Sequence, residues 1–309
     1  MSGGRITGVG TALPEKILTN HDLAAMVDTT DQWILERTGI TERHIGGTTA
    51  GLATEAAEIA IEASGLAKSD IDLLILATTT PDRHVPATAS TVQEKLGVKC
   101  GAFDLNAACS GFVYGLITAH GFLAQGSKNV LVIGAETLSK ITDWDDRGTC
   151  ILFADGAGAV VIERTEGPGS LVGWHLDSDG SLESVLFAER SGYIEMNGRE
   201  VFRKAVLVME HAANVAMDQA GVTADDISLV VPHQANIRII EASCRRLGIP
   251  FEKAVTVLQQ TGNTSSASVP LALGSAIDDG RVNDGDLVLM VGFGGGMTSA
   301  SALVRWGAE

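Results

Sequence analysis

The sequence predicts an α/β protein built from two copies of one helix-and-strand unit, and three observations carry that expectation. Residues 56–79, AAEIAIEASGLAKSDIDLLILATT, align without gaps on residues 212–235, AANVAMDQAGVTADDISLVVPHQA, at an offset of 156. Both halves alternate helical and extended hydrophobic periodicity. Three polar candidates, Cys109, His233 and Asn263, follow stretches that read as strands, and strand ends are where ligands gather in α/β sheets.

The elements follow in order. Ile6–Val9 reads as a short first strand. In the repeat, Ala56, Ala57, Ala60, Gly65, Asp70, Ile71 and Leu73 all recur, so each copy is an amphipathic helix, a glycine stop, an Asp-Ile turn and a buried strand. GAFDLN is the strand before Cys109, and 110–120, SGFVYGLITAH, is the helix after it. NVLVIGAE (129–136) matches LVLMVGFG (287–294), and GAGAVVIE (156–163) matches SASALVRW (299–306). Such strands are covered on both faces. Glycine and proline interrupt the pattern at 164–171, which divides the chain into 1–165 and 166–309, with an insertion-like stretch at 173–197.

Composition removes several function classes. The 309 residues carry a net charge of −16, which argues against nucleic acid and makes any local basic cluster notable. No run approaches the ~18 apolar residues of a membrane span, and MSGGRITGVG lacks a signal-peptide pattern. The four cysteines form no CxxC pair and suit a reducing cytoplasm; Cys100, Cys150 and Cys244 read as packing or surface residues. No metal-ligand spacing is present, and GFGGGMTSAS (292–301) lacks the dinucleotide-binding spacing, so neither metal nor cofactor is expected.

A free cysteine is by default a packing residue. Cys109, however, is expected at the positive end of a helix, where backbone N–H groups and the dipole favour thiolate, among the small residues Ala107, Ala108, Ser110 and Gly111. His233, in PHQAN, is either a satisfied loop histidine or an imidazole aimed from a strand end to donate or shuttle a proton. Asn263, in QQTGNTSSASVP, is either a turn residue or a neutral donor suited to an oxyanion.

Together these stretches resemble the β-ketoacyl-acyl-carrier-protein synthase III family, the initiating condensing enzymes of type II fatty-acid synthesis. The resemblance runs from TTDQWILERTGITERHI through DLNAACSGF, DDRGTCILFADGAGAV and VPHQANIRII to TGNTSSASVPLAL and FGGGMTSASALVRW. It implies the thiolase fold, two duplicated halves in a five-layered αβαβα structure, as a homodimer. It also implies decarboxylative condensation of an acyl-CoA primer with malonyl-acyl-carrier protein. Cys109 would be the acyl-accepting nucleophile and His233 with Asn263 the rest of the triad. The backbone N–H groups of Cys109 and Gly295 would form the oxyanion hole. Trp33 and Arg147 would sandwich the CoA adenine, with Arg37 and Thr29 at the phosphate end.

For the acidic carrier protein, Arg238 and Arg245 lie seven residues apart on one expected helical face, with Arg246 adjacent, and the family pattern adds Arg203. Val85 stands where some members carry an aromatic residue that gates the acyl pocket. The alternatives are a secondary-metabolism relative using another acceptor or extender, and a non-catalytic partner subunit. The intact triad argues against the second.

Overall fold

The computed structural model describes residues 3–308 as five stacked layers. The first sheet takes β1 (Gly4–Ala12), β2 (Leu73–Ala77), β3 (Gly101–Leu105), β4 (Asn129–Thr137) and β5 (Asp155–Arg164), in the order β1-β5-β4-β2-β3. The second takes β6 (Leu171–Asp177), β7 (Leu229–Pro232), β8 (Leu287–Gly294) and β9 (Thr298–Arg305), in the order β7-β8-β9-β6. Read from β2 and from β7, the two sheets have one topology: a parallel pair, then two antiparallel neighbours.

Strand alternation builds the layers. Along β2, Leu74 and Leu76 face α1 (Thr49–Ser64) and α2 (Thr88–Leu96), whereas Leu73 and Ile75 face the molecular centre. There α3 (Gly111–Ala124) and α6 (Ser268–Asp278) lie between the sheets, and Phe112, Leu116, Val269 and Leu273 are fully buried against both. The far face of the second sheet carries α4 (Gly198–Ala220) and α5 (Ile237–Leu247). Among the described residues no helix is long and apolar enough to cross a membrane.

The repeat is a repeat of structure. Ala56, Ala57 and Ala60 of α1, and Ala212, Ala213 and Ala216 of α4, have no exposed surface, because each helix lies close on its sheet. Gly65 and Gly221 end these helices at φ +76° and +66°, conformations that side-chain-bearing residues avoid. Asp70 and Asp226 then accept from the backbone N–H groups of Ala67 and Thr223, at 2.9 and 2.8 Å, and start the turn into each strand. The segment before Asn263 departs from expectation. AVTVL pairs as a single bridge, Val230 with Ala254, and the chain then turns into the helix Leu258–Thr261.

Candidate active site

Cys109 sits in a 3-10 turn, Ala108–Ser110, between β3 and α3. Ser110 ties that turn to the second half, its hydroxyl lying 2.7 Å from the Thr298 hydroxyl, which itself donates to the Ala107 carbonyl. Gly294, at the end of β8, approaches so closely that a Cβ there would stand 2.5 Å from the Cys109 nitrogen. Among the described residues, the three non-glycine positions with left-handed backbone are Ala108, Ser265 and Met297. One precedes Cys109, one lines a cavity with it, and one shares a turn with Gly295. Strain of this kind, about 1–3 kcal/mol per residue, is held where the surroundings over-determine a geometry.

His233 leaves the end of β7 with its backbone N–H bonded to Val291. Its imidazole is buried edge-on to Phe293, and Nδ1 lies 2.6 Å from the Ser268 hydroxyl. That hydroxyl also accepts from the Gln234 backbone N–H and has its own hydrogen available for Nδ1, an arrangement that suits a ring carrying its proton on Nε2. Burial pushes the His233 pKa down to about 3, so the ring is neutral at physiological pH.

Asn263 belongs to the second half but pairs with the first. Its backbone N–H and C=O bond to Leu152 and Ala154. Gly262 permits the approach: at φ +66°, a Cβ would stand 2.9 Å from that of Ala154 and 3.0 Å from that of Arg43. The Asn263 Oδ1 accepts from the Ser265 backbone N–H at 2.9 Å, which leaves the amide N–H₂ as the free end.

These residues meet at two adjoining cavities. Cys109, His233, Asn263 and Phe293 line one of about 130 Å³. Cys109, Gly295, Ser265, Leu138, Phe153 and Ile194 help line another of about 370 Å³. The 173–197 stretch contributes Leu186 to both.

The 3-10 turn that holds Cys109 runs straight into the α-helix Gly111–Ala124, as the sequence predicts, whereas burial works against the expected thiolate. Burial pushes the Cys109 pKa up from 9.0 to about 12; the nearby Ser265 hydroxyl and the backbone N–H oppose the rise, and Glu136 adds to it. A helix dipole contributes about 0.3–1 kcal/mol, reaching ~2 at best, and works against this burial.

The remaining candidates lie around this centre. Trp33, on the helix Asp31–Thr38, has the guanidinium of Arg37 5.0 Å and that of Arg147 5.1 Å from its ring centroid. Arg147 is held by the Asp28 carbonyl at 2.8 Å, and a base stacked between it and Trp33 requires it to swing out. The Thr29 hydroxyl is buried with no partner. Arg238 and Arg245 are exposed on α5, but Arg246 pairs with Glu210 and Arg203 with Glu200, so half of the expected basic cluster is already neutralised. Val85 is 83% exposed and lines neither cavity, so within one chain it gates nothing.

Sequence reasoning missed Glu136, Ser265 and Ser268. A carboxylate closing the apolar strand NVLVIGAE was the available signal for the first; the serines are defined only by tertiary contacts.

Comparison with known proteins agrees with this architecture. Residues 103–180 match the family described as 3-oxoacyl-[acyl-carrier-protein (ACP)] synthase III, and residues 217–306 match its C-terminal family. The chain is 51% identical to the β-ketoacyl-[acyl-carrier-protein] synthase III of Erythrobacter litoralis, over 97% of this chain and 98% of that one. The crystal structure of the Aquifex aeolicus 3-oxoacyl-[acyl-carrier-protein] synthase III superposes with a TM-score of 0.95 at 49% identity, covering 98% and 100% of the two chains. The priming β-ketosynthase of the R1128 polyketide pathway gives 0.93 at 35% identity, covering 99% and 97%. Fold and site thus define a thiolase-fold condensing enzyme, an acyltransferase. The chain belongs to the β-ketoacyl-acyl-carrier-protein synthase III family, whose initiating condensation opens fatty-acid synthesis.

Proposed function

We propose that Cys109 accepts the acyl group of an acyl-CoA primer, and that His233 and Asn263 then promote decarboxylation of malonyl-acyl-carrier protein for carbon–carbon bond formation. The observation that carries this reading is the convergence of the three side chains on one cavity, with a neutral imidazole and the Asn263 amide N–H₂ facing it. The thiol adds to the thioester carbonyl, the backbone N–H groups of Cys109 and Gly295 hold the oxyanion, and CoA departs. Loss of CO₂ from the malonyl group places negative charge on its thioester oxygen. The His233 Nε2–H and the Asn263 amide stabilise that charge without surrendering a proton, since neither group is acidic at working pH. The carbanion equivalent attacks the acyl-Cys109 carbonyl and releases 3-ketoacyl-acyl-carrier protein. No metal or redox cofactor enters these steps.

The stacked Trp33, Arg37 and Arg147 support an adenine and phosphate subsite for CoA, with Thr29 beside them. Continuity supports carrier-protein docking on α4 and α5. The cavity holding His233 and Asn263 reaches Phe202 and Asn236, beside Arg203 and Arg238, and Arg245 and Arg246 follow on α5. In a cytoplasmic homodimer, the exposed Val85 would reach the partner's acyl pocket. The likeness to a polyketide priming enzyme favours, as a second reading, a primer for another pathway at the same site.

The test supplies acyl-CoA and malonyl-acyl-carrier protein together. One CO₂ and one CoA released per 3-ketoacyl-acyl-carrier protein supports the reading; acyl transfer without CO₂ release contradicts it.

A further inference from the structure

Glu136 closes the buried strand β4 with no exposed surface, and the chemistry above does not use it. Its Oε2 accepts from the hydroxyls of Thr78, Thr79 and Thr80 and from the backbone N–H groups of Thr79 and Thr80, at 2.6 to 3.2 Å. On its other side, the hydroxyls of Ser265 and Ser266 donate to Oε1 at 3.2 and 2.8 Å. This cage of donors ties the segment after β2, in the first half, to a turn of the second half.

That turn aims Asn263. The Ser265 backbone N–H donates to Asn263 Oδ1 at 2.9 Å, and among the described residues no other hydrogen bond holds the Asn263 side chain. Ser265 sits at φ +50°, which side-chain-bearing residues avoid, so its neighbours must keep it there. Strand β4 does so at two points. A Cβ on Gly134 would stand 2.4 Å from the Ser266 carbonyl oxygen, so the strand passes hard against the turn. Two residues on, Glu136 supplies the hydrogen bonds. The Asn263 backbone is fixed separately, by Leu152 and Ala154, so the cage governs where the amide points rather than where the residue lies. Cys109 has its own supports, Gly294 against its nitrogen and Ser110 tied to Thr298.

We infer that Glu136 is a positioning residue for the decarboxylation step, holding the Asn263 amide on its target through Ser265. The inference rests on the role proposed for Asn263, and Glu136 itself touches no substrate. Without the carboxylate, Ser265 relaxes from its left-handed conformation, its N–H leaves Oδ1, and the amide turns away from the malonyl thioester oxygen. The hold is one of shape and hydrogen bonding. In Glu136→Gln the side-chain oxygen must take the Oε2 place, because the Thr79 and Thr80 N–H groups there cannot accept. The new N–H₂ then faces two hydroxyls that can accept, and Ser266 keeps the Ala77 carbonyl, at 2.9 Å, for its own hydrogen. Glutamine therefore preserves the turn, and alanine does not.

The test is a double-mutant cycle in the full-length protein. Two single-turnover rates are read: Cys109 acylation by acetyl-CoA, and CO₂ release from malonyl-acyl-carrier protein. Glu136→Ala should slow CO₂ release by about ten- to a hundredfold, the cost of a displaced amide, and leave acylation close to the wild-type rate. In the Asn263→Ala background the same change should add less than about threefold, because the group it positions is gone. Glu136→Gln should stay close to wild type in both steps. Glu136→Ala slowing both steps alike, or slowing CO₂ release as much without Asn263 as with it, would overturn the inference. A glutamine variant as slow as the alanine variant would assign the effect to charge and overturn it too. If Glu136→Ala does not fold, Ser265→Ala, which cuts only the contact to Oε1, is judged by the same cycle: an effect on CO₂ release that vanishes with Asn263 supports the inference, and one that persists overturns it. An Asn263→Ala protein that releases CO₂ at the wild-type rate overturns the role of Asn263 itself, a separate failure that takes the inference with it.

Discussion

Lowering the pH from 7 to 5 should destabilise the protein by about 2 kcal/mol through His233 alone. In the unfolded chain this histidine titrates near its ordinary 6.5; in the fold, burial holds it at about 3. Above pH 6.5 both states are neutral, and the full stability is present. Below 6.5 only the unfolded chain gains the proton, so stability falls as the pH drops towards 3. Each unit is worth about 1.36 kcal/mol, and the 1.5 units from 6.5 to 5 give about 2 kcal/mol. Urea unfolding at the two pH values and one protein concentration measures this, with His233→Gln as the reference. His120, pushed down to about 4 by burial, contributes equally to both proteins and cancels. The variant should lose about 2 kcal/mol less than the wild type. Identical losses would show that His233 is not held neutral, and the uncharged Nε2–H donor would go with it.

Four further outcomes are expected. Asn263→Ala removes one oxyanion donor and should slow malonyl decarboxylation by about 10²–10³, against a smaller change in acylation by acyl-CoA; equal losses in single-turnover assays would contradict its assignment. Arg238→Glu should raise KM for malonyl-acyl-carrier protein roughly three- to tenfold at low salt and leave KM for acyl-CoA unchanged. Arg246→Ala, whose arginine is already paired with Glu210, should do less in the same assay. Gly262→Ala places a Cβ 2.9 Å from that of Ala154 at a left-handed φ, and should lower stability by about 1–3 kcal/mol in denaturant unfolding.

Much of this was legible in sequence because it is local. Ala56, Ala57 and Ala60, with their counterparts at 212, 213 and 216, marked the close helix–sheet faces, and the two glycines marked the helix ends. The meeting of Cys109 and His233 followed from duplication once their strand ends were located, and Asn263 reaches the same cavity from the end of a short helix instead. What failed depended on tertiary surroundings. AVTVL has a strand pattern, but after one bridge the chain is drawn into the helix Leu258–Thr261. The thiolate expectation set the helix end above burial, and in the fold burial raises the thiol pKa. Trp33 is half-buried and stacked by two arginines, a placement that no local pattern around it encodes. The Glu136 cage joins residues more than a hundred positions apart, a contact no local pattern encodes.

The central claim is that one sulfur carries the acyl group between two thioesters. Intact-protein and peptide mass spectrometry after exposure to a panel of acyl-CoAs, followed by malonyl-acyl-carrier protein, tests it directly. The expected result is one acyl group per chain on the Cys109 peptide, absent in Cys109→Ala and discharged with one CO₂ per adduct. A protein that forms ketoacyl product with no acyl-Cys109, or an adduct that malonyl-acyl-carrier protein leaves in place, would contradict the account.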